Sequence, residues 1–225
     1  TCIECARGSF AGGFGSSVCL PCPVGQQTNI TGQTACTKCD FGYWQGSAGS
    51  PLCVACAPGK FSKREGESVC EDCDVGKFAN TTTQTICFTC QPGLFQSANA
   101  KTTCNECARG TYGDEFGFSA CLPCPAGQQV NVTGQTACTQ CIKGWYQGNT
   151  GSPLCLRCVA GKFTDRIGEP VCVDCEAGKF TNATAQDSCF LCQPGLYQGG
   201  GSKTSCIACD RGTYAPVFGL AVCLP

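Results

Sequence analysis

Cys70-Glu71-Asp72-Cys73-Asp74-Val75-Gly76-Lys77-Phe78, then Ala79-Asn80-Thr81-Thr82 and a polar run to Cys87 and Cys90, is the stretch that the rest of the chain repeats. It has the form C-x2-C-x2-G-x-F, and Cys87 restarts the cycle that Cys70 began. The leading cysteines are Cys2, Cys19, Cys36, Cys53, Cys70, Cys87, Cys104, Cys121, Cys138, Cys155, Cys172, Cys189, Cys206 and Cys223, with every interval equal to 17. Their companions are Cys5, Cys22, Cys39, Cys56, Cys73, Cys90, Cys107, Cys124, Cys141, Cys158, Cys175, Cys192 and Cys209. A fixed period without insertion or deletion settles the architecture before any local reading.

Composition narrows the class. The 225 residues hold 27 Cys, 30 Gly and 12 Pro, with no His and no Met. Cysteine at this density belongs to a disulfide scaffold in an oxidising, extracellular compartment. Charge is sparse and balanced, 15 basic against 16 acidic residues. No basic stripe exists to neutralise phosphates, so nucleic acid is not an expected partner. No apolar run is long enough to span a membrane, and no signal peptide is present. The chain reads as an excerpt of a longer one, opening just before Cys2 and stopping at Cys223-Leu224-Pro225, and the odd cysteine count follows from that cut.

Within each unit a glycine follows the cysteine pair at one offset, from Gly8 and Gly25 through to Gly212. Such constancy points to a backbone reason, a positive φ or a close approach. Two positions later stands an aromatic: Phe10, Trp44, Phe61, Phe78, Phe95, Tyr112, Tyr146, Phe163, Phe180, Tyr197 and Tyr214, with Gln27 and Gln129 as exceptions. A second turn residue, usually glycine, sits four before the next pair, as Gly66 does. Nothing carries a helical period. The expected fold is small and disulfide-rich, mostly irregular with short β-hairpins, extended into an elongated solenoid-like rod of 17-residue repeats. The aromatic is expected to supply its core.

Longer periods lie on top of 17. Residues 1–102 and 103–204 are close copies of a six-repeat block, and 205–225 start a third, truncated copy. Asn29-Ile30-Thr31-Gly32-Gln33-Thr34 resembles Asn80-Thr81-Thr82-Thr83-Gln84-Thr85, a weaker period of three units. There is also an alternation of two. The residue after the leading cysteine is always apolar in even units (Leu20, Val54, Phe88, Leu122, Leu156, Phe190, Leu224) and mixed in odd ones (Ile3, Thr37, Glu71, Asn105, Thr139, Val173, Ile207).

The spacing C-x2-C-x13-C-x2-C is also a four-thiolate zinc spacing. Zinc fingers, however, close separate tetrahedral sites and carry basic recognition helices, whereas these pairs run on through neutral loops. A redox CxxC repeated along a chain without an α/β fold makes no chemical sense. No metal or cofactor is expected, and all 27 cysteines are read as structural disulfide partners. Closing each CxxC on itself would constrain almost nothing. Joining the second cysteine of one unit to the first of the next (Cys5–Cys19) keeps a 17-residue period. Crossing two units (Cys2–Cys19 with Cys5–Cys22) makes a 34-residue module, and the even/odd alternation favours that form. Spacing alone does not decide between them.

The pattern C-x2-C-x2-G-x-[FY] resembles the ephrin-receptor-like (GCC2/GCC3) cysteine-rich repeat along the whole chain. It is more distantly similar to the cysteine-rich modules of tumour-necrosis-factor receptors. The resemblance implies an extracellular, elongated rod of stacked, disulfide-crossed hairpins.

Four N-x-[ST] sequons occur, at Asn29, Asn80, Asn131 and Asn182, at the same place in every third unit. That register points to N-glycosylation on exposed loops, and the Thr and Ser of the loops could carry O-glycans. Gln27 and Gln129 replace the aromatic beside Asn29 and Asn131, which is read as room for a sugar.

Catalysis needs a unique constellation, and repeats work against one. Glu65, Glu67, Asp114 and Glu115 are isolated acids without matching partners, and no acidic cluster resembles a calcium loop. Trp44 and Trp145 read as core. The chain is therefore expected to be no enzyme. It is expected to be a structural extracellular glycoprotein, secreted or on the cell surface. Its partners would be further copies of itself in a filament or fibril, for which it forms the stalk or shaft. The alternative is a receptor or adhesion ectodomain that binds a protein ligand through its modules; it expects one or two divergent units, and none is seen.

Overall fold

The computed structural model describes residues 4–13 and 15–225. Cys2, expected in a disulfide, and Ile3, part of the even/odd pattern, lie outside them. The chain divides into two compact units, Thr1–Glu106 with Glu115–Ala120, and Cys107–Asp114 with Cys121–Pro225. Both are built from the same hairpin.

Residues 56–73 show how one hairpin forms. After Cys56, the Ala57-Pro58-Gly59 turn is closed by the Lys60 amide donating to the Ala57 carbonyl at 3.0 Å. Lys60–Phe61 then pairs antiparallel with Glu71–Asp72, in the register Lys60 to Asp72 and Phe61 to Glu71. The second strand is thus the pair of residues inside the next CxxC. Twelve such two-stranded sheets occur among the described residues. The Cys56–Cys70 disulfide closes the loop, with 5.7 Å between Cα atoms.

All 26 described cysteines pair serially in this way, from Cys5–Cys19 to Cys209–Cys223, always 14 residues apart. The crossed pairing favoured by the even/odd alternation is therefore not formed. The reason is local. The residue just before the second strand faces the residue just before the first turn, so each hairpin closes on itself. The alternation lies instead on the surface: Leu20 stands across from Phe10, Val54 from Trp44 and Phe88 from Phe78. Leu20, Val54 and Phe88 are all exposed.

Each hairpin leans on those that follow. The Gly59 amide donates to the Ala79 carbonyl (2.7 Å), Ser62 to Gln84 (3.0 Å), and Thr83 back to Cys56 (3.0 Å). Gly59 also touches the repeat after next, since a β-carbon there would lie 2.2 Å from the Ala100 carbonyl oxygen. Glycine is required at this position by that contact and by its φ of +87°. Ten glycines, five in each unit, meet the carbonyl of a later second-turn residue at 1.9–2.4 Å in this sense, from Gly8 against Gly49 to Gly178 against Gly219.

The core differs from the expected one. The aromatics are only half-buried, and Tyr214 is exposed. What is buried is the second cysteine of each pair from Cys5 to Cys192, with Cys209 half-buried, and the residue after the aromatic position: Thr28, Gln45, Ser62, Ala79, Gln96, Val130, Gln147, Thr164, Thr181, Gln198 and Ala215. Strand alternation sends the aromatic to one face and its successor to the other. The inner face lies against closely approaching backbones and disulfides, so it admits small or slender side chains. Trp44 and Trp145, expected in the core, are likewise half-buried, and the Arg157 guanidinium lies 4.9 Å from the Trp145 ring.

Among the described residues the buried polar side chains are satisfied. Gln147 donates from Nε2 to the Leu154 carbonyl (2.6 Å) and accepts at Oε1 from the Asn149 amide (3.0 Å). Gln45, Gln96 and Gln198 form the same clamp, so that with Gln147 one occurs in every third unit.

Candidate functional site

The sequons lie one step beyond the most firmly held point of each repeat. Ala79 donates its amide to the Lys101 carbonyl (3.1 Å) and accepts from Gly59 (2.7 Å). Thr181 is held in the same way between Lys203 (3.2 Å) and Gly161 (3.0 Å). With the inward side chain locked between two neighbours, the next residue is turned outward. Asn80 and Asn182 are exposed, as are Asn29, after buried Thr28, and Asn131, after buried Val130. The hydroxyl residues Thr31, Thr82, Thr133 and Thr184 are exposed too. The structure thus sets all four asparagines at equivalent, solvent-facing places.

It also divides them into two kinds. Beside Asn80 the Phe78 and Phe88 rings meet across the hairpin at 5.7 Å between centroids, tilted by 43°. Beside Asn182, Phe180 and Phe190 do the same at 6.0 Å and 49°. Each asparagine borders an open, largely apolar hollow between its own hairpin and the next. Near Asn80 the hollow measures about 500 Å³ and is walled by Phe78, Phe88, Leu94 and Cys104. Near Asn182 it measures about 820 Å³, walled by Phe180, Phe190, Leu191, Leu196 and Phe218.

Asn29 and Asn131 have no such platform. Gln27 pairs with Thr37, and Gln129 with Thr139. The Gln27 side-chain carbonyl accepts from the amide of Cys53, and that of Gln129 from the amide of Cys155. These glutamines therefore reach forward to hold a later cysteine, a role in backbone support that the sequence did not disclose. The aromatic hollows were also missed, because the cross-strand partner of each aromatic depends on a register that spacing does not state.

Some of the charged groups form surface pairs. Lys60 meets Asp72 and Lys162 meets Asp174 across their hairpins, and Lys63 meets Glu71 at 3.1 Å. Hydrogen bonds from Lys162 and then Ser202 hold the Asp174 carboxyl below its usual range. Glu65, Asp114 and Glu115 are exposed. Among the described residues no cluster of metal-ligating side chains forms, and no helix is long and apolar enough to cross a membrane.

The model of a family described as tyrosine-protein kinase ephrin type A/B receptor-like matches residues 1–35, 93–136 and 127–170, together half of the chain. Comparison with curated proteins gives no match. The matched segments carry the same cysteine pair and turn glycine as the rest, and the half-buried aromatic except at Gln27 and Gln129. With its serial disulfides and uniform hairpins, the chain belongs to the ephrin-receptor-like family of cysteine-rich repeat proteins.

Proposed function

We propose that this is a structural extracellular glycoprotein without catalytic activity, a disulfide-stapled rod that forms the stalk or shaft of a secreted or cell-surface filament. N-glycans are carried on Asn29, Asn80, Asn131 and Asn182. The observation that supports this reading best is one contact repeated ten times, a turn glycine against the second-turn carbonyl of the repeat after next, as Gly59 meets Ala100. A contact that passes from one repeat to the next but one, five times within each unit, never closes on itself, so it extends for as long as repeats are added. A receptor would be expected to set one hairpin apart with a patch that the others lack. Here the exposed apolar residues recur in register, Leu20, Val54 and Phe88 in one unit and Leu122, Leu156 and Phe190 in the other.

Negative-stain images of the native material test the reading. Long uniform fibres are expected, and short monodisperse particles that capture a protein partner would overturn it. Glycosidase treatment followed by non-reducing mass analysis tests the sugars, with a mass loss expected at each sequon and no free thiols.

A further inference from the structure

We propose that the glycans on Asn80 and Asn182 are part of the packed structure: the innermost N-acetylglucosamine of each lies on the Phe78–Phe88 or Phe180–Phe190 pair and fills the hollow beside it. The inference rests on the glycosylation reading above and adds to it a distinction between sites.

Three observations carry it. Asn80 itself borders the hollow that Phe78, Phe88 and Leu94 wall, so a sugar attached there starts at the rim. The same arrangement recurs at Asn182, with Phe180, Phe190 and Leu196. Lastly, the rings are available: Phe78 is half-buried, and Phe88 and Phe190 are 43% and 49% exposed. Asn80 stands two positions beyond Phe78, the spacing that places both side chains on one face of an extended segment. The intervening Ala79 is completely buried, which fixes that face outward.

The chemistry suits a sugar better than a loose apolar ligand. One face of an N-acetylglucosamine ring is a set of axial C–H bonds, weakly positive, and an aromatic face is weakly negative. Stacking them removes apolar area of both from water. Thr89, Thr102 and Thr103 stand around the Asn80 hollow and can hydrogen-bond the hydroxyl and acetamide groups at the sugar's edge. Because the sugar is tethered, little of the entropy cost of free association remains. Asn29 and Asn131 follow Gln27 and Gln129, whose side chains are engaged with backbone amides, so a glycan there extends into solvent.

The test uses the chain made in a glycosylating host, with glycopeptide masses recording occupancy at all four asparagines. The glycans are trimmed by an endoglycosidase to a single N-acetylglucosamine, and the sugar proton resonances are assigned. Ring currents should shift the sugar protons at Asn80 and Asn182 upfield and leave those at Asn29 and Asn131 at ordinary positions. Phe88→Ala and Phe190→Ala, on exposed second strands, should each diminish the shift at the adjacent site only. Removing the last sugar from the unsubstituted chain should raise binding of a hydrophobic dye. Four occupied sites with matching, unshifted sugar protons would overturn the stacking while leaving glycosylation intact. Empty sites at Asn80 and Asn182 would overturn both.

Discussion

Replacing Gly59 by alanine should damage the fold far more than replacing Gly66, although both glycines have a left-handed backbone, with φ of +87° and +75°. The left-handed penalty of about 1–2 kcal/mol applies to both, partly offset by roughly 0.4–1 kcal/mol from a stiffer unfolded chain. Gly66→Ala should therefore cost about 1 kcal/mol, because its new methyl group would stand at ordinary contact distance, 3.4 Å from the flexible Lys38 side chain and 3.8 Å from the Gly25 carbonyl oxygen. At Gly59 the methyl group would stand 2.2 Å from the Ala100 oxygen and 2.6 Å from its carbonyl carbon. An ordinary carbon–oxygen contact is about 3.3 Å, so the backbone at residue 100 must retreat by about 1 Å. That breaks the bond from the Ala100 amide to the Cys73 carbonyl, now 2.8 Å. Overpacking at roughly 1–3 kcal/mol and a lost hydrogen bond at about 1 kcal/mol bring the total to about 3–5 kcal/mol. The assay is guanidinium unfolding without reductant, with amide exchange at Cys73 and Ala100 to locate the damage. If the two variants lost the same stability within about 0.5 kcal/mol, the contact from Gly59 to Ala100 would not be holding the repeats together.

Other outcomes follow from single contacts. Ala100 occupies a second-turn position at φ +55° where most repeats place glycine, so Ala100→Gly should stabilise by up to about 1 kcal/mol in the same unfolding assay. Gln147→Leu leaves the Leu154 carbonyl and the Asn149 amide without partners and should cost about 1–3 kcal/mol. Cleavage before Asp72 separates Cys70 from Cys73, and non-reducing peptide mapping should then find Cys70 linked to Cys56 and Cys73 to Cys87; a Cys70–Cys87 link, as in the crossed form, would contradict the serial pairing. For Asp174 the folded pKa is lowered, so its contribution is present above the unfolded value of about 4 and is lost as pH falls through the folded value. Lys162→Met should move the carboxyl titration of Asp174 upward, followed by NMR.

Much of the fold is legible in the residues from Cys70 to Phe78. The period, the turn glycine and the absence of helix all follow from spacing and residue type. The core does not. Phe78 and Ala79 alternate between faces, and with two-residue strands no longer pattern says which face is inside. Size suggested the phenylalanine; the close approach of Gly76 to the repeat after next leaves room only for the alanine. The sequon asparagines were legible from their register, whereas the aromatic pairs beside two of them were not, because Phe88 meets Phe78 only through the hairpin register.

Sequence by itself determined that this chain is a repeating array of small disulfide-rich hairpins, since a 17-residue period with paired cysteines admits no single large core. Tertiary structure alone decided which cysteines join and which side chains face inward. Both depend on how backbones approach one another, within a hairpin from Cys56 to Cys70 and between repeats from Gly59 to Ala100. At such separations neighbouring letters carry no directional information. The same approach seats Gln27 and Gln129 against the amides of Cys53 and Cys155, whereas the glutamine clamps and the aromatic pairs beside Asn80 and Asn182 close within single hairpins, through a register that spacing does not state.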